Sequence, residues 1–98
     1  MYNYRNESTE RLFRCIAEIQ SPEECAAFFE DLCTIKEIQD MAQRLETAVL
    51  LDEGQSYQKI SEKVGVSAAT ISRVSRSLNY GSDGYKAALE RLKETENK

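Results

Sequence analysis

The residues best suited to chemistry are four cations, Lys59, Lys63, Arg73 and Arg76. They stand in residues 54–80, where the one acid is Glu62, a local balance of +3. Ammonium and guanidinium groups gathered in this way bind phosphate, and arginine can also grip a guanine edge through two parallel hydrogen bonds. The island is set in a chain of net charge −4: residues 1–53 hold five cations against twelve acids, and residues 81–98 hold four of each. A basic island on an acidic body is the footprint of a nucleic-acid-binding face, and the acidic remainder orients docking by repulsion. The side chains around the arginines are small: Ala68, Ala69 and Ser72 would let a helix lie deep in a major groove.

No set of comparable quality supports catalysis. Histidine is absent from the 98 residues, so neither a Ser/His/Asp arrangement nor a Cys/His pair exists, and there is no glycine-rich phosphate loop. Cys15, Cys25 and Cys33 are odd in number and lack a CxxC spacing, which fits buried, reduced thiols better than a zinc site or disulfides. No enzyme activity, metal or cofactor is expected. The longest apolar run is far too short for a membrane span, and the polar start of the chain has no signal-peptide core. A cytoplasmic protein is expected.

The cations need two short helices to position them. Ser56 is a suitable N-cap for a first helix holding Ile60 and Val64 one turn apart, and Gly65 can end it in the left-handed conformation. After Val66, Ser67 caps a second helix with Ile71, Val74 and Leu78 on its inner face. Two helices over such a tight turn make a helix-turn-helix across residues 56–80. The expected DNA-contacting set is Ser56, Tyr57, Gln58 and Lys59 at the first helix, and Ser67, Ala68, Ala69, Thr70, Ser72, Arg73 and Arg76 at the second.

The rest of the chain reads as helix throughout. Leu12, Ile16 and Ile19 predict a helix over about Ser8 to Ile19. Ser21-Pro22-Glu23-Glu24 starts a second helix, burying Cys25, Phe28, Phe29 and Leu32. Thr34 and Glu37 form a capping box for a third, longest helix reaching Asp52, with Gly54 as its C-terminal cap. A last helix is predicted over residues 83–95, burying Tyr85, Ala88, Leu89 and Leu92. Six helices in a single all-α domain spanning residues 1–98 is the expectation. A chain of this size buries only about 60–65% of its unfolded surface, so dimerisation is expected on size alone.

From Ala69 to Leu78, ATISRVSRSL, the sequence resembles the recognition helix of the Trp repressor. The likeness extends back through Leu32-Cys33-Thr34, Arg44 and the helix ending at Gly54, with one residue fewer between Gly54 and Ile60. The chain is similar to the shorter Trp-repressor-related proteins grouped as YerC/YecD. That resemblance implies a six-helix, intertwined homodimer with two helix-turn-helix heads on double-stranded DNA. It places the base-facing positions at Ser67, Ala68, Ala69 and Ser72, with contacts often bridged by water, as the Trp repressor itself illustrates. The expected function is sequence-specific transcriptional regulation, with repression as its expected sign.

The resemblance also implies an effector pocket at Thr34, Arg44, Arg73 and Ser77. The pocket of that family has a glycine after the recognition-helix arginine, whereas this chain has Val74. A branched side chain fills volume that an indole would need, so L-tryptophan is not expected to be the effector. Two other readings remain. The stretch GQSYQKISEKVGVSAATISR also looks like the head of a sigma factor or response regulator working within a larger assembly. Alternatively, a helical adaptor could bind a protein through Phe28 and Phe29.

Overall fold

The computed structural model describes residues 3–96, and every regular element among them is an α-helix. The order is α1 (Glu7–Ala17), α2 (Pro22–Leu32), α3 (Ile35–Asp52), α4 (Tyr57–Val64), α5 (Ala68–Tyr80) and α6 (Gly84–Glu96). The chain divides into two compact units, one up to Ile38 and one from Gln39 onward.

The first unit is built from well-capped helices. Asn6 opens α1: its side chain accepts from the Thr9 amide at 2.9 Å, while the Thr9 hydroxyl accepts from the Asn6 amide at 2.8 Å. This reciprocal cap moves the start one residue ahead of the expected Ser8, and the helix stops at Ala17 rather than Ile19. Ser21 caps α2 with Pro22 at the first helical position. Thr34 and Glu37 form the expected capping box, with bonds of 3.0 and 2.8 Å.

Neither α1 nor α2 buries a residue. Leu12, Ile16, Cys25, Phe28 and Phe29 are half-buried, and Leu32 and Ile35 stay 52% and 62% exposed. The expected burial of Leu32 is therefore corrected. The helical period is right, but the described residues leave about half of Leu32 uncovered.

Every buried residue among those described lies in the second unit. One cluster joins Ala48 of α3, Val74 and Leu78 of α5, and Leu89 of α6, with Val49, Leu51 and Tyr85 around it. Another joins Leu50 of α3, Ile60 of α4, Val66 and Ile71. Thr47, wholly buried, donates its hydroxyl to the Gln43 carbonyl at 2.8 Å and so leaves no polar group unsatisfied. Gly54, at φ 84°, ends α3 with its amide on the Leu51 carbonyl and that of Gln55 on the Leu50 carbonyl, both 3.0 Å.

α6 is offset by one residue from residues 83–95. It turns Leu89 inward with Tyr85 and Leu92 half-buried, while Ala88 is exposed rather than buried. Its anchor is the Lys93 ammonium, 2.7 Å from Asp52 at the end of α3.

Candidate nucleic-acid interface

α4 and α5 pack on each other, and the turn between them is fixed at each residue. The Ser56 hydroxyl accepts from the Lys59 amide at 3.2 Å, setting the entry to α4. Gly65 ends that helix at φ 81°, a left-handed conformation that costs a residue with a Cβ about 1–2 kcal/mol. The Ser61 hydroxyl then donates to the Val66 carbonyl at 2.9 Å, pulling Val66 inward, where it is buried. The Ser67 hydroxyl accepts from the Thr70 amide at 3.2 Å and starts α5.

This framework drives Ile60 and Ile71 to zero exposure and Val74 to 3%, the inner positions that the spacing predicts. The opposite side of α5 faces out. Ala68, Ala69, Ser72, Arg73 and Arg76 are all exposed, with Ser67 just ahead of them. At the start of α4, Ser56, Tyr57, Gln58 and Lys59 are exposed as well.

Thr70 is placed differently from the others. It is half-buried, its hydroxyl accepts from that of Ser67 at 3.2 Å, and it lines a pocket rather than the outward row.

Positive charge is left unpaired on this surface. α5 contains two arginines and no acid. Among the described residues the ion pairs are Arg5–Glu10, Lys86–Asp83 and Lys93–Asp52, together with an interaction of Lys36 and of Asp40. Lys59, Lys63, Arg73 and Arg76 are in none of them, so their full charge faces solvent. Cations held this way can displace the counterions condensed on a duplex, the source of salt-dependent affinity.

Beside the outward row lies a pocket of about 230 Å³, lined by Asp40, Gln43 and Arg44 of α3, Val66 of the turn, and Thr70, Arg73 and Val74 of α5. Of the expected effector set, Arg44, Arg73 and Val74 come together here. Thr34 and Ser77 do not line it. Thr34 belongs to the first unit, where its hydroxyl and amide are both used in capping α3. Ser77 lies beyond the pocket on α5, exposed, with its carbonyl accepting the Gly81 amide at 2.9 Å. Asp40 and Gln43 are additions, recoverable from the sequence by their placement one turn before and beside Arg44 on the same face of α3. Val66 is a core position of the turn, and its edge on the pocket carries no sequence signal.

No group of His, Cys, Asp or Glu among the described residues could hold a metal ion. No helix among them is long and apolar enough to cross a membrane.

A family model described as Trp repressor protein matches residues 7–93. Protein YerC of Bacillus subtilis (strain 168) is 55% identical over 92 residues, covering 94% of this chain and 88% of the relative. The crystal structure of a TrpR-like protein from Eubacterium eligens ATCC 27750 matches with TM-score 0.86 at 50% identity, covering 90% of this chain and 91% of that one. A crystal structure from Staphylococcus aureus matches with TM-score 0.87 at 44% identity, covering 91% and 89% of the two chains.

Proposed function

Since this chain belongs to the Trp repressor protein family, in its YerC type, we propose that it is a sequence-specific, double-stranded-DNA-binding transcriptional regulator. α4 and α5 act as the helix-turn-helix, with α5 in the major groove and the start of α4 on the backbone. The observation that carries the reading is the outer face of α5: small at Ala68, Ala69 and Ser72, cationic at Arg73 and Arg76, and free of acids. An adaptor acting through Phe28 and Phe29 would leave those cations without a partner. The test is retention by random duplex DNA that weakens as salt rises, followed by selection of a preferred site.

The regulator works as a homodimer in this reading. Leu32, Ile35 and Leu45 are exposed in the single chain, and the helices of the first unit bury nothing. Apolar faces of this kind are what a second copy covers, as in an intertwined dimer built on residues 8–53. Phe28 and Phe29, edge-to-face at 5.9 Å and half-buried, belong to that covered surface rather than to an adaptor site.

L-tryptophan is not its effector. Val74 both lines the pocket and packs in the core with Ala48, Leu78 and Leu89, so its methyl groups cannot withdraw to admit an indole without a cavity opening behind them. The free protein is the DNA-binding form, with Arg44 and Arg73 available to phosphate.

A further inference from the structure

We propose that Arg76 is the side chain that reads a guanine in each half of the bound site, an inference resting on the DNA-binding reading above. Ala69, Ser72, Arg73 and Arg76 fall at i, i+3, i+4 and i+7 of α5, a single row opposite the buried Ile71, Val74 and Leu78. Seven residues bring Arg76 back to within about 20° of Ala69. It therefore projects along the middle of the face that the helix offers to a groove.

The two arginines of the row are not equivalent. Arg73 stands at its flank and lines the pocket with Gln43 and Arg44 of α3, so its neighbourhood is a cleft between helices and it suits a backbone phosphate. Arg76 lines no part of that pocket. Its neighbours three and four residues away are Ser72, Arg73, Asn79 and Tyr80, none of them an acid. No hydrogen bond or ion pair holds its guanidinium among the described residues.

Asn79, three residues further on, is already committed. The Asn79 amide donates to the Ser75 carbonyl at 2.9 Å and to its hydroxyl at 3.3 Å. Ala69 and Ser72, ahead on the row, are too short to hold the helix away from a base or to grip a base edge from both sides. That leaves Arg76 with two parallel N–H donors and an open approach. Guanine, with O6 and N7 side by side in the major groove, is the base edge that accepts both.

The probe is the tightest duplex recovered from a random pool, with each guanine replaced in turn by 7-deazaguanine, which lacks the N7 acceptor. At one guanine in each half-site this replacement should weaken the unmodified protein about 5- to 10-fold, about half of the discrimination of a bidentate arginine–guanine pair. Arg76→Ala and Arg76→Lys should be indifferent to it, and Arg76→Lys should keep the salt dependence because its charge remains. Arg73→Ala should bind more weakly on every sequence yet keep the guanine sensitivity. Arg76 is exposed, so thermal midpoints of the variants should match the parent.

The proposal is overturned if Arg76→Ala retains every 7-deazaguanine effect, or if the selected duplexes share no guanine. In both cases site-selective binding itself would persist. Absence of any salt-sensitive duplex binding would instead remove the DNA-binding reading, and this inference with it.

Discussion

The Lys93 ammonium lies 2.7 Å from an Asp52 carboxylate oxygen, clamping α6 to the end of α3. The hydrogen bond that Lys93 donates to Asp52, and then the charge of that carboxylate, hold the Lys93 pKa above the usual 10.5. A raised folded-state pKa stabilises fully below the unfolded value and is lost as pH climbs through the folded one. Asp52→Asn should therefore lower stability at neutral pH, by a small amount because Lys93 is exposed. The gap between the variant and the parent should close as pH rises above 10.5. Urea unfolding of both proteins across that range checks it, and a gap that widens with pH would exclude the clamp.

Binding to DNA should be steeply salt-dependent. If a dimer neutralises roughly six to eight phosphates, log affinity should fall against log salt with a slope of about −5 to −7. Arg73→Ala should lower affinity on all sequences and make the slope shallower by about one for each phosphate left without its cation, read by titration at several salt concentrations.

Leu45 separates monomer from dimer. It is 42% exposed in the single chain, so a charge there should change a monomer by no more than about 0.5 kcal/mol. Under a second copy, Leu45→Glu would bury that charge and should abolish assembly. The parent should sediment as a dimer, with an unfolding midpoint that rises with protein concentration. A parent that stays monomeric at micromolar concentration would refute the shared core.

Calorimetry with L-tryptophan should give no saturable heat up to about 1 mM ligand, and DNA affinity should not respond to it. Val74→Gly should cost about 2–4 kcal/mol, from lost burial and a glycine inside a helix, and should loosen α5. Micromolar tryptophan affinity in the unmutated protein would mean that the valine yields.

Gly81 follows α5 closely enough that a Cβ there would collide with the Ser77 carbonyl, the oxygen that accepts its own amide. Gly81→Ala should destabilise by about 1–3 kcal/mol, since the atom in the way is backbone and cannot rotate aside. Gly84→Ala has open space around its Cβ and should be near neutral, which makes it the control for thermal melts of the pair.

Local chemistry was what the sequence made legible. Ser56, Gly65 and Ser67 each carry a capping preference, and the structure uses all three as caps. Ile60, Ile71 and Val74 follow from helical spacing and are buried. Leu32 shows where such reading stops: periodicity identifies an apolar face, not whether the cover comes from the same chain. The pocket illustrates the other limit. Arg44 and Arg73 could be named from the resemblance, but Val66 meets them only through tertiary packing, and Thr34 is engaged in its own helix cap. Gly81 reads as an ordinary turn glycine, because its constraint comes from a carbonyl four residues back.

Among the described residues, the first buried one along the chain is Thr47. On a ribosome, residues 3–46 thus emerge before any described segment that forms the core, carrying the exposed Leu32, Ile35 and Leu45. If the proposed dimer is what covers them, each newly made copy would remain a substrate for chaperones and proteases until it met another, whatever the quality of its helix-turn-helix. The steady-state level of working regulator would then rise more steeply than the rate of synthesis, since two nascent products must find each other before either is protected. A modest change in expression would become a sharper change in occupancy of the DNA, without any small molecule taking part.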